Sequence, residues 1–442
     1  MKKGLILGAA ALATVAVGPI ADADAGEVKL SGYYMFRMQN YDMDMAPDSA
    51  TNDDGNYWTH RLSMQFDMKA SEKTHAHMKV RVLDGTVDGA DSPVLGNGAG
   101  NTVSGTATTL WSIRSAWLET EAYGVGLKMG KLPIVLNDRL LVSNDGNTTS
   151  FGTFLLSKSF GDVTVVAAQV KVDEGNANGA STNGTLGASD DDADLYALSL
   201  LGKVSGINWQ LTGAHLTTGD DSSTGANNGG VDDLDDTWLA LTLGGEVSGV
   251  NYTLTGVYEA GLDSGAANLN NTMLGESGVL VGLRLKGKTG FGGWNAYGFY
   301  GSDEFTNITN DESKWSPTWD MGGTGGKDMM KNWSNAGNAT TSPTENMWGI
   351  GAGLTVKAGG WTIKPSLDYA SVVENDYNND SVDDNSYDSA FGGSLLLSTS
   401  IDKGTSLNLG GGYLSLDESN SYNSATQDDS MHVLQASIKM KF

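Results

Sequence analysis

The sequence predicts an all-β fold: a transmembrane antiparallel up-and-down β-barrel of about eighteen strands, with sixteen as the other count. Three observations carry this. Apolar and polar residues alternate with a period of two in segment after segment, which places them on opposite faces of a strand. Tight turns and long polar loops alternate between those segments, as expected when strands cross a membrane with brief connections on one side and extended ones on the other. Beyond the N-terminal leader no apolar stretch is long enough for a spanning helix, and a closed barrel is the other arrangement that satisfies every backbone group inside lipid.

The leader comes first. Lys2 and Lys3 precede an apolar run from Gly4 to Gly18, and Ala23-Asp24-Ala25 offers small residues where a signal peptidase cuts, so residues 1–25 are expected to be a cleaved signal peptide. The run is too short for a membrane anchor at about 1.5 Å per residue. Residues 26–442, 417 in number (442 minus 25), carry one pattern without a linker and read as a single barrel domain. The chain has no cysteine, so its stability comes without disulfides.

The strands follow in order. Val28, Leu30, Gly32, Tyr34 and Phe36 oppose Lys29, Ser31, Tyr33, Met35 and Arg37. Trp58, His60, Leu62, Met64, Phe66 and Met68 oppose Thr59, Arg61, Ser63, Gln65, Asp67 and Lys69. Trp348, Ile350, Ala352, Leu354 and Val356 do the same against a Gly/Thr/Lys face. Tight turns are expected at 71–74, 122–124, 161–162, 204–206, 247–249, 289–293, 358–360 and 402–404. Nine long loops lie between them, near 41–56, 85–109, 132–150, 174–192, 218–235, 262–276, 303–345, 374–386 and 418–428. Eight turns plus nine loops make seventeen connections and hence eighteen strands, with both termini on the short-turn side. A soluble sandwich would have shorter strands and a polar outer face.

Charge is partitioned along the same lines. The formal net charge is −26, and the nine loops hold 34 acidic and 4 basic residues, so the strands and turns are slightly basic. An acidic rim over a basic bore follows, in which most acidic residues simply keep the loops solvated. Oxygen-only clusters such as Asp232, Asp233, Asp235 and Asp236 are weak candidates for Ca²⁺ or Mg²⁺, since none has the spacing of an EF-hand loop. No other cofactor is expected. His75 and His77 share a face without a third metal ligand nearby. Trp and Tyr residues near strand ends fit the headgroup region.

The chain ends on Leu434, Ala436, Ile438, Met440 and Phe442 opposite Gln435, Ser437, Lys439 and Lys441. This ending resembles the last strand and assembly signal of bacterial outer-membrane β-barrels, with Phe442 as the terminal aromatic, and so implies an outer-membrane location reached through the periplasm. On the first five strands Lys29, Arg37, Arg61, Lys69, Lys79, Arg81, Arg114 and Lys128 all fall on the polar face. A cation facing lipid at the midplane costs about 2–4 kcal/mol, so these line a wet interior. The loop after the fifth strand, LPIVLNDRLLVSNDGNTTS, carries seven Leu, Ile and Val residues, a composition that favours folding inward onto the barrel wall.

A constriction loop in this place, opposite Arg and Lys on the first strands, resembles the general trimeric porins of bacterial outer membranes. The resemblance implies a homotrimer in which Asp138 and Asp145 form the acidic side of an eyelet, Arg37, Arg61, Lys79, Arg81 and Arg114 the basic side, with Lys128 also on the basic wall. Arg139 adds a cation to the loop, and the porin loop's usual Pro-Glu-Phe-Gly-Gly signature is absent. The expected function is a water-filled, weakly charge-selective channel for passive diffusion of small hydrophilic solutes and ions, with lipopolysaccharide around it and no nucleic-acid partner. Two alternatives stand beside it: a channel selective for anionic solutes, and a structural or adhesive surface barrel. No nucleophile elbow or His-based constellation points to an enzyme.

Overall fold

A sheet whose strands are apolar on one face and polar on the other avoids exposed edges by closing on itself, and this chain does so. The computed structural model describes residues 26–42, 55–86, 112–144, 151–174, 192–218, 234–260, 263–264, 277–302, 305, 346–373, 387–418 and 430–442. The barrel strands are β1 (Glu27–Asp42), β2 (Gly55–Lys69), β3 (Thr74–Thr86), β4 (Ser112–Ala122), β5 (Val125–Leu132) and β6 (Phe151–Phe160). They continue with β7 (Val163–Glu174), β8 (Asp192–Val204), β9 (Ile207–Thr218), β10 (Leu234–Val247), β11 (Val250–Glu259) and β12 (Val279–Thr289). The last six are β13 (Gly292–Gly301), β14 (Met347–Ala358), β15 (Trp361–Val372), β16 (Tyr387–Asp402), β17 (Thr405–Glu418) and β18 (Ser430–Lys441).

Each strand pairs antiparallel with its sequence neighbours, and β1 pairs with both β2 and β18, which closes the ring at eighteen. Phe442 extends the closing ladder, its N–H donating to Gly32 O at 3.1 Å and its O accepting from Gly32 N at 3.0 Å. The Phe442 ring lies over Gly32, where an added Cβ would meet it, so the seam needs a residue without a side chain at that point.

The eight tight turns fall where the sequence places them. At Tyr123-Gly124, Ser205-Gly206, Ser248-Gly249 and Gly359-Gly360 both central residues have positive φ, the type I′ geometry whose twist matches that of the flanking strands. The long connections lie at the opposite end. The expected signal peptide (1–25) lies outside the described residues, as does nearly all of 303–345, and with it the question of a further hairpin there.

Outward faces are apolar throughout: Val28, Leu30, Leu198, Leu239, Leu283, Ile350 and Leu434 are all exposed. The inward face is not uniform, and here the simple expectation of a polar bore is corrected. In the half nearer the long connections many inward residues are apolar and buried, among them Leu195, Trp238, Val257, Leu280, Phe299, Met347, Leu414 and Val433, with a few buried polar residues such as Asp236 and Glu259 between them. Parity cannot reveal this, because a strand apolar on both faces has no period-two signal there. Toward the short turns the inward residues turn polar and basic. In the apolar half Tyr297 donates to Asp368 Oδ1 at 2.7 Å across Gly351, whose added Cβ would collide with both.

Candidate functional site: the inward loop and the bore beneath it

After β5 the chain turns into the lumen. Ile134–Leu136 pairs antiparallel with Val142–Asn144, and between them Asn137–Arg139 makes one 3₁₀ turn. Ile134, Leu140, Leu141 and Val142 are buried in the same cluster as Leu195, Trp238 and Phe305. The apolar composition that marked this loop is thus what holds it against the inner wall. The tip leans on the middle strands: Asn137 Nδ2 donates to Thr242 Oγ1 of β10 at 3.2 Å, and Asp138 forms an ion pair with Arg284 of β12.

This partner differs from the one the resemblance implied. Asp138 meets Arg284, 146 residues away, rather than the cations of the first strands. Burial pushes the Asp138 carboxyl above its ordinary value, against the pull of Arg284, Lys286 and Arg139. Arg139 sits half-buried beside it. Asp145 lies outside the described residues.

The cations on β1, β2, β3 and β5 face inward, as parity requires, but at different heights, whereas Arg114 of β4 falls where the alternation is interrupted. Lys128, expected on the basic wall of the pore, sits near the short turns in an ion pair of 2.9 Å with Glu119, in a tier of paired charges. In that tier His77 contacts Asp67 at 2.7 Å and Glu119 at 3.4 Å and stacks on Trp117 at 4.7 Å between centroids. Higher up, register aligns Gln65, Lys79 and Ser115 in one row and Ser63 and Arg81 in the next. An irregularity between Lys79 and Val80 leaves Arg114 as the extra residue of β4, and Arg81 is buried at 5% exposure. Arg61 and Lys439 flank Met35 across β2, β1 and β18, and Arg37 reaches Met35 Sδ at 3.8 Å.

Below the loop an internal space of about 1020 Å³ is lined by Arg37, Arg284, Lys286, Lys288, Lys364, Lys439 and Lys441, together with Asn, Gln, Ser, Thr and Tyr residues. Among the described residues no Asp or Glu lines it. Six of these seven cations, all but Arg37, lie beyond the first five strands, so the basic lining is not confined to one wall. The signal was present: Leu283 and Leu285 alternate with Arg284, Lys286 and Lys288 as plainly as in the first strands. Lys439 also sits over the Tyr33 ring, 4.0 Å from its centroid.

The candidate acidic metal sites separate. Asp232 and Asp233 lie outside the described residues, Asp235 is exposed, and Asp236 is buried facing inward, its carboxyl accepting from Thr237 N at 2.6 Å. Among the described residues no group of three or more His, Cys, Asp or Glu is placed to hold a metal ion.

A closed barrel with an apolar girdle, a loop folded into its lumen and a polar basic bore defines the porin-type barrel of bacterial outer membranes. No family model matches the sequence, and no curated protein matches it. Solved structures do match in shape. OccK8 (OprE) of Pseudomonas aeruginosa is 10% identical, the alignment covers 94% of this chain and 98% of that one, and the TM-score is 0.54. OpdK of the same organism, solved with vanillate, is 9% identical over 94% and 98% with a TM-score of 0.53. OccAB4 of Acinetobacter baumannii is 12% identical over 96% and 100% with a TM-score of 0.52. At these identities the likeness is one of fold, an eighteen-strand outer-membrane porin barrel.

Proposed function

We propose that this protein is a passive outer-membrane channel selective for small anionic solutes, with no chemical step. The observation that carries the proposal is the internal space beneath the loop, lined among the described residues by seven cations and by no acidic side chain. In a confined, partly dehydrated passage an opposite-charge contact at 4 Å is worth about 1 kcal/mol in water-like surroundings and about 4 kcal/mol at the effective dielectric of a protein surface. Cations at alternate positions of one strand stand about 6.8 Å apart, so an anion passes between weak sites rather than lodging in one strong site.

This reading takes the place of general diffusion as the better supported of the two. Its shape relatives are Occ and Opd barrels, one of them solved with vanillate, a carboxylate. Assembly as a homotrimer rests on the porin resemblance and is tested by crosslinking in native membranes, where monomers alone would remove it.

The test of function is a planar-bilayer recording. Under a potassium chloride gradient the reversal potential should show anion preference, and added benzoate should reduce chloride current with saturation. Cation preference without benzoate saturation would overturn the selective reading. An absence of channels would favour the surface-barrel alternative.

A further inference from the structure

The tip of the inward loop is unusual in its backbone as well as its charge. Asn137, Asp138 and Arg139 have φ of 47°, 56° and 77°, three successive non-glycine residues in the left-handed region. Each costs roughly 1–2 kcal/mol in that conformation, and such a run persists only where surrounding contacts hold it. Among the contacts that hold it are Asn137 on Thr242 and Asp138 on Arg284. Arg284 is also one of the cations lining the space below the loop, two residues above Lys286 on the same face of β12.

We propose that Asp138 is a built-in competitor at the channel's anion seat: its carboxylate occupies Arg284 when no solute is present, and an anionic solute passes by displacing it. This rests on the anion-channel reading above and names the residues that set its specificity. A solute must carry an anion able to replace a carboxylate on a guanidinium, with Lys286 next in line to receive it. Neutral solutes gain nothing at this point.

Displacement is energetically accessible for two reasons. Releasing the tip relieves the left-handed run, which offsets part of the lost ion pair. The Asp138 carboxylate is also held at a desolvation cost, since burial raises its pKa despite three nearby cations, and returning it to water recovers that cost. The barrel does not depend on this contact, because the loop's apolar residues remain anchored in the cluster around Leu140 and Leu141.

The experiment compares wild type with Asp138→Asn, Asp138→Ala, Arg284→Gln and the double variant Asp138→Asn/Arg284→Gln, using benzoate as probe and chloride current in planar bilayers as readout. If the seat is open about a tenth of the time, removing the competitor should strengthen the apparent benzoate affinity roughly tenfold. Arg284→Gln should abolish most benzoate saturation, and Asp138→Asn should add nothing in that background. A persisting effect of Asp138→Asn in the double variant would mean a general field rather than competition and would overturn the proposal. So would an unchanged half-saturation in both Asp138 variants, or an equal rise in arabinose flux, which reports simple widening. Failure of both Asp138 variants to insert would likewise overturn it, since a displaceable contact is not a folding element. If wild type itself shows no benzoate saturation, the anion-channel reading fails first, and the two failures are thereby distinguished.

Discussion

Leu280 and Lys288 lie on the same strand and the same inward face, eight residues apart, yet one is fully buried and the other lines the bore. The comparison holds around much of the barrel. Toward the long connections the inward face is a packed apolar core that receives Leu140, Leu141 and Val142 from the loop. Toward the short turns it is wet and basic. The outward face shows no such change, because lipid contacts it along its whole height. One sheet therefore carries a folding core at one end and, on the proposed function, a selectivity surface at the other.

The sharpest way to break this contrast is to place the same charge in both halves. Leu141→Asp puts an uncompensated carboxylate into the core and should destabilise the folded barrel by about 4 kcal/mol, read as the urea midpoint in detergent. Ser437→Asp, in the wet half, should change stability by no more than about 0.5 kcal/mol while weakening anion preference. Equal costs at the two sites would erase the distinction.

The closing seam offers a smaller effect on stability. Phe442→Ser removes the ring over Gly32, a loss of about 1 kcal/mol of burial, and should reduce the heat-modifiable barrel in outer membranes while leaving export intact. Normal insertion would end the assembly-signal reading of Phe442.

Selectivity should respond to the wet half more than to the upper cations. Replacing Lys286, Lys288 and Lys439 with Gln removes three charges, each worth about 0.3 kcal/mol across a screened bore, and should shift the anion-to-cation permeability ratio roughly fivefold toward cations. The triple Arg61→Gln, Arg81→Gln and Arg114→Gln should shift it less, because Arg81 is buried. The reverse ranking would return the selectivity site to the first strands.

The smallest effect concerns pH. A carboxyl held above its ordinary value of about 4 loses its charge early as pH falls, so anion preference should rise on acidification, beginning above the range in which an ordinary carboxyl titrates. Asp138→Asn should remove that part of the rise. A carboxyl raised in the folded state costs stability progressively as pH climbs from its ordinary value to its folded one, so acidification relieves that cost rather than adding to it. A pH response unchanged in Asp138→Asn would remove Asp138 as its source.

Much of the architecture was legible in advance because it rests on local rules. Period-two alternation sets faces, glycine-containing pairs such as Ser205-Gly206 set turns, and seven apolar residues in 132–150 drive that loop inward. Strand number and the closure of β1 on β18 follow from these. Height and partnership are different quantities. Lys128 and Arg81 share an inward face by parity, but register and neighbouring side chains decide that one pairs with Glu119 near the turns while the other is buried higher up. The meeting of Asp138 with Arg284 joins residues with no local relation in sequence. Faces and turns are short-range properties that residues impose on their own backbone, whereas the electrostatic site exists only where closure brings distant strands and a folded-in loop into one space.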